Sequence, residues 1–452
     1  MYWRPVAIVI VIILLSVLAA CRSQSVNTNA GTIQPLMTTG ALDSVESTVT
    51  PGTPPASPML STTVSLPTIE QQQQPSLTPS PALFDPTVTP SAFPTATPIP
   101  EWLVYDGPPL IRDQMGVQIH LHREDLDSLM SNLRELGVGW VKTQVSWKVY
   151  QPEPQRFDDL LFDELDRFIA AAGENDLKVI IGVAKAPEWS RATTELDGPP
   201  IDNAHFQEFM AALANRYQGR INAYELWNEP NLQREWNGKQ LSATELVELI
   251  RAGANGVRSA DPKAVIISAA PATTGINDGL VAIDDRQFLQ QMVAAGIVDV
   301  VDAIGAHPYG WANPPDSSVH DETPVTSSHN NHPSFYFKDT LTDYRRILDE
   351  AGYSEVPIWV TEFGWGSYDG LEREPPEGLS YMAEVSEPQQ AIYTRRAFAL
   401  AQETPGVGPL ILWNLNFGPT LGIEFVESAY SLLRPDGTRR PVYVVLANVP
   451  KQ

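Results

Sequence analysis

The 452-residue sequence predicts an α/β protein, a single (β/α)8 TIM barrel preceded by a disordered N-terminal linker. Three observations predict it. From Glu101 onward, apolar runs of strand length alternate with segments of helical period, the pattern of parallel strands joined by crossover helices. Eight such units in roughly 350 residues fit one barrel with insertions better than a doubly wound sheet. The stretch ahead of them is dominated by Thr, Ser, Pro and Gln, with few aromatics, and cannot bury a core.

Read in chain order, the first element is Met1 to Ala20, where Arg4 precedes an apolar run from Val6 to Leu18. This is the layout of a secretory signal, and the run is short for a bilayer span. It ends in Leu18-Ala19-Ala20-Cys21, which resembles the bacterial lipobox, where the peptide is cut before a cysteine that then carries lipid. Cys21 is the chain's single cysteine, so it has no intramolecular partner, and acylation gives an otherwise exposed thiol a use. The expectation is export and lipid anchoring on the outer face of the bacterial cell membrane; the plainer alternative is a soluble secreted protein. Residues 21–100 then read as a Pro-stiffened stalk, holding the next domain on the order of 50 Å or more from its anchor.

The barrel domain is placed at residues 101–452. Its strands are read at Met115 to His120, Trp140 to Trp147, Lys178 to Ala184, Ala223 to Glu229, Val265 to Pro271, Ala303 to Tyr309, Ile358 to Gly364 and Pro409 to Leu415. Helices fall between them, the clearest from Glu124 to Leu136: Leu126, Leu129, Met130 and Leu133 form one stripe and Gly137 stops it. The others lie near 157–172, 203–217, 242–259, 285–295, 338–351, 388–402 and 439–449. A formal net charge of −24 excludes a nucleic-acid partner of the usual electrostatic kind, which needs a basic face. A monomer is expected.

Chemistry in such barrels sits at the C-terminal ends of the strands. Strand four ends in Tyr224-Glu225-Leu226-Trp227-Asn228-Glu229-Pro230-Asn231 and strand seven in Ile358-Trp359-Val360-Thr361-Glu362-Phe363-Gly364-Trp365, so each delivers a carboxylate to the same rim. Two carboxyls on one cavity are what glycoside hydrolysis needs, one to protonate the leaving oxygen and one to attack or to activate water.

These segments resemble the clan A glycoside hydrolases, which share a Trp-Asn-Glu-Pro signature after strand four and a Glu at the end of strand seven. The resemblance runs from Gln114 to about Leu446 and is closest to family 5, family 39 and related endo-acting barrels. It implies that Glu229 is the acid/base, Glu362 the nucleophile and Asn228 the partner of the sugar 2-hydroxyl, and that a β-linked poly- or oligosaccharide is cleaved with retention, without a cofactor. His307-Pro308-Tyr309 matches the clan's His-x-Tyr, whose tyrosine bonds the nucleophile, and Trp413 matches the aromatic floor of the sugar subsite. A phenol donor is expected to keep Glu362 ionised, and a less polar setting to keep Glu229 protonated.

Around this pair, Trp147, Trp189, Trp236, Trp311 and Trp365 stand at or just beyond strand ends and are read as candidate stacking platforms for pyranose faces, with packed structural tryptophans as the plainer reading. Asn414 and Asn416 are candidate hydroxyl partners. The sequence departs from the family 5 pattern in showing Lys142 and Gln144 on strand two, and Lys185-Ala186-Pro187-Glu188-Trp189 after strand three, where that family usually has an arginine and a histidine.

His120-Leu121-His122 resembles a metal-binding His-x-His, but strand five ends Ser268-Ala269-Ala270-Pro271 and strand eight has no aspartate. His120 is therefore assigned to the sugar cleft or a loop, and no metal is expected. The rival readings are a barrel that binds glycan at the cell surface without cleaving it and one that transglycosylates. Two insertions, Trp311 to Phe337 and Gly366 to Glu387, are expected to border the cleft and set substrate length.

Overall fold

In the computed structural model, residues 100–452 are described; the signal, Cys21 and the stalk lie outside them. Eight parallel strands form the barrel: β1 Met115–Gln118, β2 Trp140–Ser146, β3 Lys178–Ala184, β4 Ala223–Leu226, β5 Val265–Ser268, β6 Ile304–Ala306, β7 Ile358–Phe363 and β8 Val407–Leu412. Hydrogen bonding runs β5-β4-β3-β2-β1-β8-β7-β6. The ring closes between β5 and β6 through the parallel bridges Ile267 to Ala303 and Ala272 to His307, helped by the Gly305 amide donating to the Ser268 hydroxyl at 2.9 Å. The barrel expectation holds.

Eight helices of eight residues or more among the described residues surround it: α1 Leu126–Leu136, α2 Asp159–Glu174, α3 Asn203–Arg216, α4 Ala243–Ala260, α5 Asp285–Ala294, α6 Phe337–Glu350, α7 Glu387–Gln402 and α8 Pro441–Asn448. Their starts follow local chemistry. Asp125, Asp158, Asp202, Ser242, Asp284 and Ser386 each use a side-chain oxygen to accept from an otherwise unpaired first-turn amide. Gly137 ends α1 in the left-handed conformation, φ 64°, as its sequence position predicts.

Strands β1, β2, β4, β5, β6, β7 and β8 all end earlier than their sequence patterns suggest. The apolar run continues while the backbone is already turning, because residues just past each strand are buried by the neighbouring loops. Glu229, His307 and Tyr309 therefore stand on the first residues beyond their strands.

Two apolar regions result. A small one, Trp140, Ile180, Ala223, Ile267, Ala303 and Ile411, with Val265 and Trp359 against it, plugs the N-terminal half of the barrel interior. The larger one fills the space between strands and helices. The interior plug leaves the C-terminal half to polar side chains. Ile267 is completely buried in that plug. Ile267→Ala is expected to lower unfolding free energy by about 2–5 kcal/mol, measured by denaturant titration; a loss under about 1 kcal/mol would mean that the interior layer is not close-packed.

Candidate active site

The segment after β4 is shaped by residues that do not face the cleft. Trp227 takes φ 81° and Glu229 φ 42°, so the chain passes twice through left-handed backbone that non-glycine residues rarely adopt, at a cost of order 1–3 kcal/mol each. Three anchors hold it. The Trp227 indole packs edge-on to Phe206 and Trp236 and donates to the Glu235 carbonyl at 3.2 Å. The Glu229 amide donates to the Ala270 carbonyl at 3.1 Å. The fully buried Asn231 amide group donates to the carbonyls of Ala272 and Ile283, both at 2.9 Å, and accepts from the Ala272 amide at 2.8 Å. With Trp227 and Asn231 committed to structure, Asn228 and Glu229 are the two polar residues left half-buried at the mouth.

His307, fully buried, links the two sequence-predicted glutamates. Its Nδ1 lies 3.3 Å from Glu229 Oε1 and 3.9 Å from Glu362 Oε2, so both carboxyls open onto one space. The Tyr309 hydroxyl donates to Glu362 Oε2 at 3.0 Å, and Lys142 Nζ donates to Glu362 Oε1 at 3.2 Å. Arg234 donates to Glu229 Oε2 at 2.7 Å.

The electrostatics of Glu229 correct the sequence expectation of a weakly polar setting. Burial pushes its pKa up, but hydrogen bonding from His307 and the Arg234 guanidinium more than offset this and hold it at about 2. Burial pulls His307 down, and the surrounding Glu362, Glu225 and Glu229 carboxylates outweigh it, raising it to about 9. The proton expected on Glu229 thus rests on the histidine 3.3 Å away.

Trp413 is half-buried and meets Tyr309 edge-on at 6.1 Å, beside Glu362. Tyr430, which the sequence reading missed, packs against both, 5.8 Å from Tyr309 and 5.2 Å from Trp413. Nothing in its local sequence, Ser428-Ala429-Tyr430, distinguishes it from a core tyrosine. Glu225, Lys142 and Arg234 were also not assigned to the site. The first two carried a signal, a charge inside a strand flanked by apolar residues, Val141 before Lys142 and Leu226 after Glu225.

With this geometry in place, the comparisons with known proteins are direct. The family described as cellulase (glycosyl hydrolase family 5) matches residues 106–393. The chain belongs to that family. Among solved structures, the barrel is similar to a family 39 glycoside hydrolase from Bacteroides cellulosilyticus, at TM-score 0.56 and 20% identity, covering 75% of this chain and 64% of that one. It is also similar to a glucosidase from Croceicoccus marinus, at TM-score 0.52 and 14% identity over 76% and 68% of the two chains. A third is an exo-β-1,4-mannosidase from an Opitutaceae bacterium, at 0.51 and 16% over 76% and 62%. The matched part thus spans under two thirds of the family 39 structure and of the mannosidase. At these identities the likeness is one of fold. No curated protein matches the sequence significantly.

Several predicted contacts of this family 5 barrel are corrected. Trp147, Trp236 and Trp365 are buried and offer no face to a sugar. Trp147 sits between Phe206 and Phe209, each 5.5 Å away, and bonds Gln151. Trp365 donates to the Asn313 carbonyl and packs on Phe337 and Tyr393. Trp189 turns toward Trp147 and His205 and donates to the Gln151 carbonyl, which places it in the helix layer beside α3. The cause is common to all four: these side chains point away from the barrel axis. Asn414 and Asn416 are also committed to structure, to Glu427 and Phe417 backbone and to both backbone polar groups of His120.

His120 and His122 diverge. The His120 ring is mostly buried against Phe417, and burial takes it down to about 4; His122 pairs with Glu164 at 2.9 Å. In the insertion after β6, His329 stacks on Trp311 at 4.5 Å and His332 lies 3.8 Å from Asp284.

The two long insertions form one wall. Glu384 accepts from the Ser327 amide and hydroxyl at 2.9 and 2.6 Å, and Tyr381 packs on Trp311 and His329. Tyr381 and Tyr430 hydroxyls meet at 3.1 Å, which joins that wall to the surroundings of Tyr309 and Glu362. Glu384→Ala is expected to loosen it by about 1–2 kcal/mol, read as faster proteolytic nicking between His320 and His332. Unchanged nicking would show that the aromatic stack alone holds the insertions.

A second prediction concerns pH. Because the folded-state pKa of His307 stands near 9 against an ordinary 6.5, its contribution to stability is complete below about 6.5 and is lost as pH rises through about 9. The stability gap between wild type and His307→Gln is therefore expected to shrink across that window in denaturant unfolding. A gap independent of pH would show that His307 is neutral in the fold.

Proposed function

We propose that the barrel hydrolyses the O-glycosidic bonds of a β-linked poly- or oligosaccharide with retention, Glu362 acting as nucleophile and Glu229 as acid/base. The observation that carries this is the single His307 nitrogen facing both carboxyls at the C-terminal mouth of β4 and β7. Family membership supports the same chemistry.

Glu362 attacks the anomeric carbon, guided by the Lys142 and Tyr309 donors that fix one oxygen each. Glu229 first receives the proton held by His307 and passes it to the leaving oxygen, an ester between sugar and Glu362 forms, and Glu229 is left ionised. Water then enters, gives its proton to Glu229, which returns it to His307, and displaces Glu362. In this reading Asn228 bonds the 2-hydroxyl, Trp413 floors the sugar subsite, and Arg234 leaves Glu229 when substrate arrives.

Location and assembly belong to the same proposal. The lone Cys21 after Leu18-Ala19-Ala20 supports export with lipid attachment to the outer face of the cell membrane, or secretion, the barrel working as a monomer at the end of the stalk. Among the described residues no helix is long and apolar enough to cross a membrane.

Hydrolysis is to be measured on a panel of polysaccharides and aryl β-glycosides. Glu229→Ala is expected to lose about 10²–10⁴-fold in kcat on poor leaving groups, and Glu362→Ala at least as much. Azide is expected to restore the second variant and yield the inverted glycosyl azide. Wild type that binds a glycan but cleaves nothing, with both variants binding equally, would establish a binding barrel; products extended on an acceptor sugar would establish a transglycosylase.

A further inference from the structure

Beneath the catalytic pair lies a third carboxylate with no contact to the cleft. Glu225, on β4, is 2% exposed. Its Oε2 pairs with Lys142 Nζ at 2.6 Å, and its Oε1 has no hydrogen-bond partner and lies 3.6 Å from His307 Nε2, which is itself unpartnered. Lys142, 1% exposed on β2, spends its three N–H groups on Glu225, on Glu362 Oε1 at 3.2 Å and on the Thr361 carbonyl at 3.1 Å.

The pair crosses over strand β3 at Gly182, which is in register with Glu225. A Cβ there would come 3.3 Å from Lys142 Cε and 3.4 Å from Glu225 Oε2, so a glycine leaves the room that the ammonium and carboxylate need. Burying an ion pair is costly unless its geometry is fixed and its remaining bonds are met. A pair retained here, touching one catalytic glutamate directly and the other through an imidazole, has a use beyond stability.

We propose that Glu225 is a positioning residue for catalysis, orienting His307 from behind so that its Nδ1 faces Glu229 and Glu362, and holding Lys142 on the nucleophile. This rests on the roles given to Glu229 and Glu362 above. The charged and titratable groups facing the imidazole are Glu225 and Glu229 from the β4 side, Glu362 from β7 and Tyr309 from its own loop. Lys142 and Arg234 stand behind these carboxyls, and Ala272, which pairs with His307 after β5, carries no charge. With its negative charge against Nε2, Glu225 strengthens the hold of the His307–Glu229 pair on the proton that the first step consumes.

The test uses the whole protein and an aryl β-glycoside that it cleaves. Glu225→Gln keeps the size and an acceptor for Lys142 but removes the charge. The alkaline limb of kcat/KM is then expected to move to lower pH by at least about half a unit. KM is expected to stay within about twofold, and Glu225→Asp to restore the limb. An alkaline limb that does not move in the Gln variant overturns the proposal.

Should Glu225→Gln fail to fold, Gly182→Ala crowds the pair without removing a charge. A fall in kcat of at least about fivefold at unchanged KM supports the proposal, and an unchanged kcat overturns it. Glu229→Ala and Glu362→Ala measured beside these separate the two readings: full activity in either removes the catalytic assignment itself, whereas inactivity in both with an unmoved Glu225→Gln profile removes only the role of Glu225.

Discussion

The site depends on one imidazole held in complete burial among carboxylates. Taking three carboxylates and an ammonium out of water is tolerable only when each charge faces an opposite one at close range. The placement of His307 therefore constrains everything around it. Strand β4 must present Glu225 and Glu229 on either side of the ring, β7 must bring Glu362 to Nδ1, and β2 must send Lys142 across β3 to reach both Glu225 and Glu362. A closed parallel barrel supplies this, since side chains from non-adjacent strands converge on its axis.

The barrel interior is accordingly divided along its axis. The N-terminal half is closed by Trp140, Ile180, Ala223, Ile267, Ala303 and Ile411, which exclude water from below. The C-terminal half holds the ions. Their mutual attraction is strong because the apolar plug, the half-buried Trp413 and Tyr309 and the buried Tyr430 keep the local dielectric low. The same seclusion makes the resting charge state of Glu229 depend on its neighbours, Arg234 and His307, rather than on solvent.

Division of labour within Trp227-Asn228-Glu229-Pro230-Asn231 follows the same physical logic. A functional carboxylate is useful only if its direction is fixed, and a loop with two left-handed residues does not hold itself. Trp227 and Asn231 do the holding, one by packing and one by three hydrogen bonds to neighbouring loops. The insertions after β6 and β7 extend the principle outward: Glu384 and the Trp311, His329 and Tyr381 rings tie two long loops into one support that reaches Tyr430, beside Tyr309.

Much of this was legible in the sequence. Periodicity located all eight strands and helices, and the Glu229 and Glu362 segments declared themselves because each ends a strand at the same rim. His307 and Tyr309 followed from the resemblance of His307-Pro308-Tyr309 to the clan's His-x-Tyr. The direction of side chains was not legible. Strands buried on both faces lose the alternation that separates axis from helix layer, and the residues just past them carry no period at all, so Trp147, Trp189 and Trp365 looked like subsite platforms and proved to be packing. For the same reason the pairing of Lys142 with Glu225 was not legible. Local chemistry along the chain determined the elements, the caps and the two catalytic candidates. Only the closure of the barrel decided which charges meet, because an ion pair spanning strands two and four exists in no segment of sequence and arises when the strands are brought into register around a common axis.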